Sequence, residues 1–67
     1  MTTLADDLPR QQARCREILS HAQELGAPGM FLVMMLKRDL ALAEQAAASG
    51  DVVGMLRAYA ALKEYQE

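Results

Sequence analysis

Residues 30–36 are apolar without a break, in a chain whose other segments show the gapped pattern of amphipathic helices. A surface helix keeps one polar stripe, and a helix that is apolar on all sides must be covered on all sides. The run is far shorter than the roughly 20 residues that span a bilayer, and charged residues 37–39 follow it directly. It therefore predicts a buried contact surface, with no transmembrane helix and no membrane partner.

The small size of the chain favours self-association. A chain of 67 residues forms one domain at most, whose core supplies about 3–5 kcal/mol of net stability. Cys15 is the single cysteine, so neither an internal disulfide nor a cysteine-based zinc site can add to it. A homodimer or higher oligomer is the expected source of further stability, and the lone thiol fits the reducing cytoplasm.

The net charge of the chain argues against nucleic acid as a partner. The net charge is −2 and the basic residues form no cluster, which argues against a surface that binds nucleic acid through its phosphates. The start of the chain also lacks the basic region of a secretion signal, since acidic residues precede the first arginine. We expect a cytoplasmic protein.

Two separators, residues 26–29 (Gly-Ala-Pro-Gly) and 49–51 (Ser-Gly-Asp), divide the chain into three helical segments. They predict an all-α single domain, 1–67, with helices at about 8–25, 28–49 and 52–65. A connection as short as 26–29 predicts an antiparallel helical hairpin, to which the third helix is added.

Turn chemistry predicts where these helices begin and end. We expect Gly26 to stop the first helix and Pro28 to be the first residue of the second. Gly50 should end the second helix, and Asp51 should cap the third. Asp6 or Asp7 is the expected cap of the first helix, with Pro9 in its first turn.

Each outer helix shows an apolar face at helical spacing. In the first helix the predicted core positions follow a seven-residue repeat, widened by one leucine: Leu8, Gln11, Cys15, Ile18, Leu19, Ala22 and Leu25. Its opposite side carries a polar column that we expect to be solvated: Arg10, Arg14, Glu17, His21 and Glu24. The predicted core positions of the third helix are Val52, Met55, Leu56, Tyr59 and Leu62.

The start of the second helix lacks a predicted cover within the chain. At 1.5 Å per residue, the third helix reaches back only to about position 35. Four residues, Met30, Phe31, Met34 and Met35, are therefore predicted to form a partner interface, and methionine is common on such adaptable surfaces. The alternative is that the third helix or the N-terminal residues fold over this end within one monomer.

The sequence predicts no catalytic residue, no metal site and no cofactor. His21 shares one helical face with Glu17 and Glu24, but a metal would need further ligands, and such residues are ordinary on a charged helix. Cys15 is expected to be a small core residue. The best small-ligand candidate is an anion site at Gly26 and Gly29, before a helix N-terminus, although a simple hairpin turn is the stronger interpretation because the lysine and hydroxyl of a phosphate-binding loop are missing.

Three segments together resemble small uncharacterised helical proteins of temperate, often transposable, bacteriophages and prophages. They are residues 3–7 (Thr-Leu-Ala-Asp-Asp), 26–31 (Gly-Ala-Pro-Gly-Met-Phe) and 49–56 (Ser-Gly-Asp-Val-Val-Gly-Met-Leu). The first turn departs from the Gly-Pro-Ala-Gly order frequent in that group. The resemblance implies a phage accessory protein in a bacterial host cell and assigns no functional residues.

Three functional hypotheses follow. The first is a non-catalytic protein that binds and modulates a host protein, such as a regulator or a defence component, as a small helical homo-oligomer. The second is a sponge that captures a nucleotide or another anion at the turn before the second helix. The third, a small transcriptional regulator, is disfavoured by the acidic balance and by a third helix with only Arg57 and Lys63 as basic residues.

Overall fold

A computed structural model describes residues 3–66, so residues 1, 2 and 67 of the predicted domain lie outside it. The described chain contains helix α1 (Leu4–Glu24), a 3-10 turn (Ala27–Gly29), helix α2 (Met30–Ser49) and helix α3 (Val52–Lys63). No residue between 3 and 66 forms a strand. The prediction of an all-α chain with three helices is confirmed.

Helix α1 begins at Leu4, earlier than the predicted residue 8, because Thr3 is its N-cap. The Thr3 carbonyl accepts hydrogen bonds from the amides of Asp6 and Asp7, at 3.0 and 2.8 Å. The prediction that one of these aspartates caps the helix is therefore wrong, and their carboxylates instead lie in the first turn, where the helix dipole favours negative charge. Pro9 consequently lies inside α1 and not in its first turn.

The two turns determine where α2 and α3 begin. Pro28 belongs to the 3-10 turn, so α2 begins at Met30 and not at the predicted residue 28. Gly50 ends α2 with a left-handed φ of 71°, and the Asp51 carboxylate caps α3 by accepting from the Gly54 amide at 3.0 Å. The predicted roles of Gly50 and Asp51 are confirmed, while α3 ends at Lys63 and not at 65.

Each helix supplies one of the three largest fully buried side chains of the core. Cys15 of α1, Leu36 of α2 and Leu62 of α3 have the largest side chains without solvent exposure. The surrounding buried apolar residues are Leu8, Ile18, Leu40, Ala43 and Ala58. The core is therefore built from small and medium-sized aliphatic side chains, which allow close approach of the helices.

Three predicted core positions are exposed in the structure. Leu25 is 65% exposed because α1 ends at Glu24 and leaves this residue in the turn. Val52 and Leu56 are also exposed, since α3 buries Ala58 and Leu62 and places these two residues on its outer side. In α1, Gln12 is buried where the seven-residue repeat predicted Gln11.

Helix α2 is the middle element of the fold. On one side, Glu44 forms an ion pair with Arg16 of α1, with 2.8 Å between the charged atoms. On the other side, Leu42, Gln45 and Ala46 line a cleft shared with α3. The remaining face of α2 is the outer surface of the molecule.

The hairpin between α1 and α2 depends on a close backbone contact at Gly29, which is buried. A Cβ atom at this position would come to 2.2 Å from the Ala22 carbonyl oxygen, much too close for non-bonded atoms, and the obstacle is backbone that cannot rotate away. The residue at this position must therefore be glycine for the turn to pack against α1.

We expect Gly29→Ala to lower the free energy of unfolding by about 1–3 kcal/mol, the usual cost of overpacking. Chemical denaturation followed by circular dichroism would measure it. Ala27→Gly is the matched control, since it removes a methyl group from an exposed position of the same turn and should cost less than 1 kcal/mol, about the backbone-entropy term alone. Equal stability of Gly29→Ala and the native chain would contradict the packing described here.

Candidate protein-binding surface

The outer face of α2 begins with three large apolar side chains that are open to solvent. Met30, Phe31 and Met34 are 60%, 74% and 64% exposed, and we call this group the head patch. It covers the first turns of the helix, where sequence analysis predicted the partner interface. Met35, the fourth predicted interface residue, is only partly exposed.

The head patch is exposed because it lies on the outer face of α2, which neither α1 nor α3 covers along the length of the helix. The C-terminal residues pack on the inner side of α2, where the Tyr65 hydroxyl donates to Asp39 and Gln66 lines a small pocket with Leu32. The α1 side of the apolar run is covered, since Leu36 is fully buried and Leu32 and Val33 are partly buried. The uncovered part of the run is thus limited to its outer face, and occupation of that face by a partner stays a prediction.

A second exposed apolar group lies at the other end of α2. Leu42, Val52, Val53 and Leu56 are 51–58% exposed, and we call them the tail patch. Sequence analysis missed this group because it assigned Val52 and Leu56 to the core. The available signal was Val53, which falls outside the predicted core positions of the third helix and so left a large apolar side chain at its start without a predicted cover.

An open cleft of about 450 Å³ runs between α2 and α3 beside the tail patch. Its walls include Leu42 and Ala46 of α2 and Ala58 and Ala61 of α3, with Arg57 at its edge. The cleft exists because alanines and Gly54 line the contact between the two helices. The cleft adjoins the tail patch at Leu42, and its lining also includes the polar residues Gln45, Ser49 and Asp51.

The side chain of Arg14, a residue of α1, reaches the C-terminal end of α3. It does not lie on the solvated face that the sequence predicted. Its guanidinium donates to the carbonyl oxygens of Leu62 at 2.8 Å and Tyr65 at 2.7 Å. Carbonyls at the end of a helix lack partners within the helix, and a cation there also interacts favourably with the helix dipole. Arg14 is therefore a structural cap that ties α3 to α1.

Asp39 is a buried carboxylate at the point where α2 meets the residues after α3. It accepts hydrogen bonds from the Tyr65 hydroxyl and from Arg38 Nε, the latter at 3.3 Å. Burial raises the pKa of Tyr65 to about 12, with the hydrogen bond to Asp39 as the second cause. In the sequence Asp39 is the last residue of the charged run 37–39. Its spacing of three and four residues from Leu36 and Ala43 nevertheless places it on the buried face of α2.

Cys15 lies next to this cluster and is fully buried. Its thiol donates to the Leu62 carbonyl oxygen at 3.4 Å, and burial raises the pKa of the thiol. A raised pKa lowers the thiolate fraction on which nucleophilic reactivity depends. Within residues 3–66, every buried side-chain nitrogen or oxygen has a hydrogen-bond partner, so these polar groups act in holding the helices together.

The described residues give no support to the metal site or the anion site considered from the sequence. Across residues 3–66, no three His, Cys, Asp or Glu side chains are placed to hold a metal ion. At the candidate anion site, the Gly29 amide already donates to the Gly26 carbonyl at 3.0 Å, and the Met30 amide donates to Ala27. Both amides are thus used inside the turn that an anion would have to occupy.

The chain was compared with protein-family models, curated proteins and solved structures. None of them matches it. None of the helices in residues 3–66 has the length and hydropathy needed to cross a membrane. The head and tail patches are consequently the features from which a function can be argued.

The Asp39 cluster predicts a specific pH dependence. Since folding raises the pKa of Tyr65 from 10.0 to about 12, the stability that this hydroxyl contributes is complete below pH 10 and is lost as the pH rises towards 12. We expect Tyr65→Phe to be less stable than the native chain by about 1–3 kcal/mol at pH 8, because the buried Asp39 carboxylate loses a donor. The difference should narrow between pH 10 and 12.

Urea unfolding of the two proteins across this pH range would measure the difference. Tyr59→Phe is the matched control, because Tyr59 is also partly buried and the same hydroxyl is removed away from Asp39. A difference for Tyr65→Phe that stays constant up to pH 12 would contradict the assignment.

Proposed function

We propose that this chain is a non-catalytic protein-binding module that self-associates through the head patch. The observation that carries the proposal is the exposure of Met30, Phe31 and Met34 on neighbouring turns of one helix face. Isolated exposed apolar residues are common on monomers, but a contiguous group rimmed by polar residues marks an interaction site. Lys37 and Arg38 form that polar rim on the next turn.

The size of the head patch supports a specific contact. Three large side chains at this exposure present about 100–150 Å² each, so the patch is on the order of 400 Å², within the range of functional patches on small proteins. Apolar burial contributes about 25 cal/mol per Å². Covering the patch therefore contributes about 10 kcal/mol before the cost of association is subtracted, which exceeds the net stability of about 3–5 kcal/mol expected of a core this small.

The proposed role in the cell is the binding and modulation of a host protein. The resemblance to temperate phage proteins supports a bacterial host as the setting. The use of the Asp39, Tyr65 and Arg14 side chains in holding the helices together supports a non-catalytic role. Affinity purification from a bacterial host with the native chain and with the variant below as bait would test this, since a modulated host protein should depend on the same assembled surface.

Replacing Met34 with Lys should dissociate the assembly and leave the helices folded. Met34 is exposed in the single chain, so a lysine there should change the free energy of folding little. When a partner covers this position, the unpaired charge loses its hydration, and association is destabilised. Loss of a central contact residue costs about 2 kcal/mol or more, which is a weakening of association of about 30-fold.

Size-exclusion chromatography with light scattering would measure the assembly, and circular dichroism would confirm unchanged helix content. We expect the native chain at twice its 7.4 kDa mass and the variant at the monomer mass. Leu25→Lys is the matched control, because Leu25 is as exposed as Met34 but lies in the turn, and it should remain dimeric. A native chain that stays monomeric at high micromolar concentration would refute self-association.

A further inference from the structure

We propose that the second copy lies antiparallel along α2, about a twofold axis at Ala41, so that the head patch of each copy covers the tail end of the other. The proposal rests on the self-association proposed above and adds its orientation, register and contacts. The occupant of the head patch is then a second copy of this chain and, within it, the residues around the start of α3.

The outer face of α2 carries a continuous line of small and apolar residues. Met34, Ala41 and Ala48 are all exposed and follow one another at seven-residue intervals, so they lie in one row along the helix. The two alanines leave the second half of this row without large side chains. A second helix can therefore approach to about 8 Å, the short end of the range for packed helices.

Two further rows border this central row, and each faces a different helix of the same chain. Met30, Lys37 and Glu44 form the edge towards α1, because Glu44 pairs with Arg16. Phe31, Arg38 and Gln45 form the edge towards α3, because Gln45 lines the cleft with Arg57. A twofold axis that makes two helices antiparallel places each edge against the same edge of the other copy.

Charge complementarity selects the position of the axis. With the axis at Ala41, Lys37 lies four residues before it and Glu44 three residues after it, so Lys37 of one copy meets Glu44 of the other, twice in the dimer. An axis at Met34 would instead place Lys37 against the apolar residues 30 and 31, and a parallel twofold arrangement, in which each edge meets the opposite edge, would place Lys37 against Arg38. Only the register at Ala41 brings unlike charges together.

The same register matches the two apolar patches. Phe31 lies ten residues before Ala41, and Asp51 lies ten residues after it, so each is about 15 Å from the axis along the helix. Phe31 of one copy therefore reaches the start of α3 in the other copy, where Val52 and Val53 are more than half exposed. Phe31 lies on the α3 edge of the outer face, and Leu42 of the tail patch lines the cleft between α2 and α3, so both are on the side that this contact requires.

The buried area also favours this register over a contact between the two head patches alone. Two head patches facing each other would bury on the order of 800 Å², which is typical of non-specific crystal contacts. Adding the two valines and the alanine row brings each copy to on the order of 600 Å². The total of about 1,200 Å² reaches the range of specific interfaces.

A single cysteine on the proposed axis tests the register. In Ala41→Cys the two thiols of the dimer face each other, and we expect more than half of the protein to form a disulfide-linked dimer under mild oxidation on a non-reducing gel. Ala48→Cys is the matched control, because it is an equally open alanine of the same row whose two copies are about 21 Å apart, beyond the reach of a disulfide. The native Cys15 gives no background because it is fully buried.

The outcomes of cross-linking distinguish the proposed register from self-association in general. A mixture of Met34→Cys and Ala48→Cys should form a linked heterodimer, which supports the register. Linkage of Met34→Cys to itself, with none for Ala41→Cys, would overturn the register and leave self-association intact. A native chain that is monomeric by light scattering would overturn both proposals.

A charge reversal tests the Lys37 and Glu44 contact independently. Lys37→Glu and Glu44→Lys should each weaken dimerisation about tenfold, since each places like charges together twice. Glu44→Lys also removes the exposed ion pair with Arg16 of the same chain, so Lys37→Glu is the cleaner of the two single variants. The double variant should restore most of the native affinity. Arg10→Glu is the control, with the same charge change at an exposed position of α1, and it should leave dimerisation unchanged. A double variant as weak as the single ones would refute the contact.

Discussion

The position of α3 depends on a buried carboxylate in the middle of α2. Burying a charge is costly unless hydrogen bonds compensate for it, and the Asp39 carboxylate is compensated by Tyr65 and Arg38. Arg14 completes the arrangement by capping the last carbonyls of α3. A helix of 12 residues is too short to be stable in isolation, so these contacts and the burial of Leu62 hold it against the hairpin.

This arrangement also decides which part of α2 remains open. Because α1 and α3 pack on the inner sides of α2, the head patch at the start of α2 has no cover on its outer face. The tail patch arises from the same geometry at the opposite end, where α3 begins beside the last turn of α2. The proposed antiparallel dimer follows from having one apolar patch near each end of α2, the second of them formed mainly by the start of α3, with unlike charges between them.

Much of the fold could be predicted from local sequence. Gly50 and Asp51 end one helix and begin the next for reasons that depend only on backbone conformation and one side-chain hydrogen bond. The exposed side chains at Met30, Phe31 and Met34 could also be anticipated from helix lengths. The errors at Leu25, Val52 and Leu56 have a common cause, because helical periodicity identifies an apolar face but does not say whether another element reaches it.

The sequence alone determined the number of helices, the turns between them and the excess of apolar side chains at the start of α2, since these depend on interactions between residues close along the chain. Only the tertiary structure decided that Arg14 caps α3, that Asp39 is buried beneath Tyr65, and that the tail patch exists. Arg14 and Leu62 are far apart in the sequence and meet only when α3 packs against α1. The physical reason is that burial and capping by distant residues depend on where helices cross, and the periodicity of one helix carries no information about the position of another.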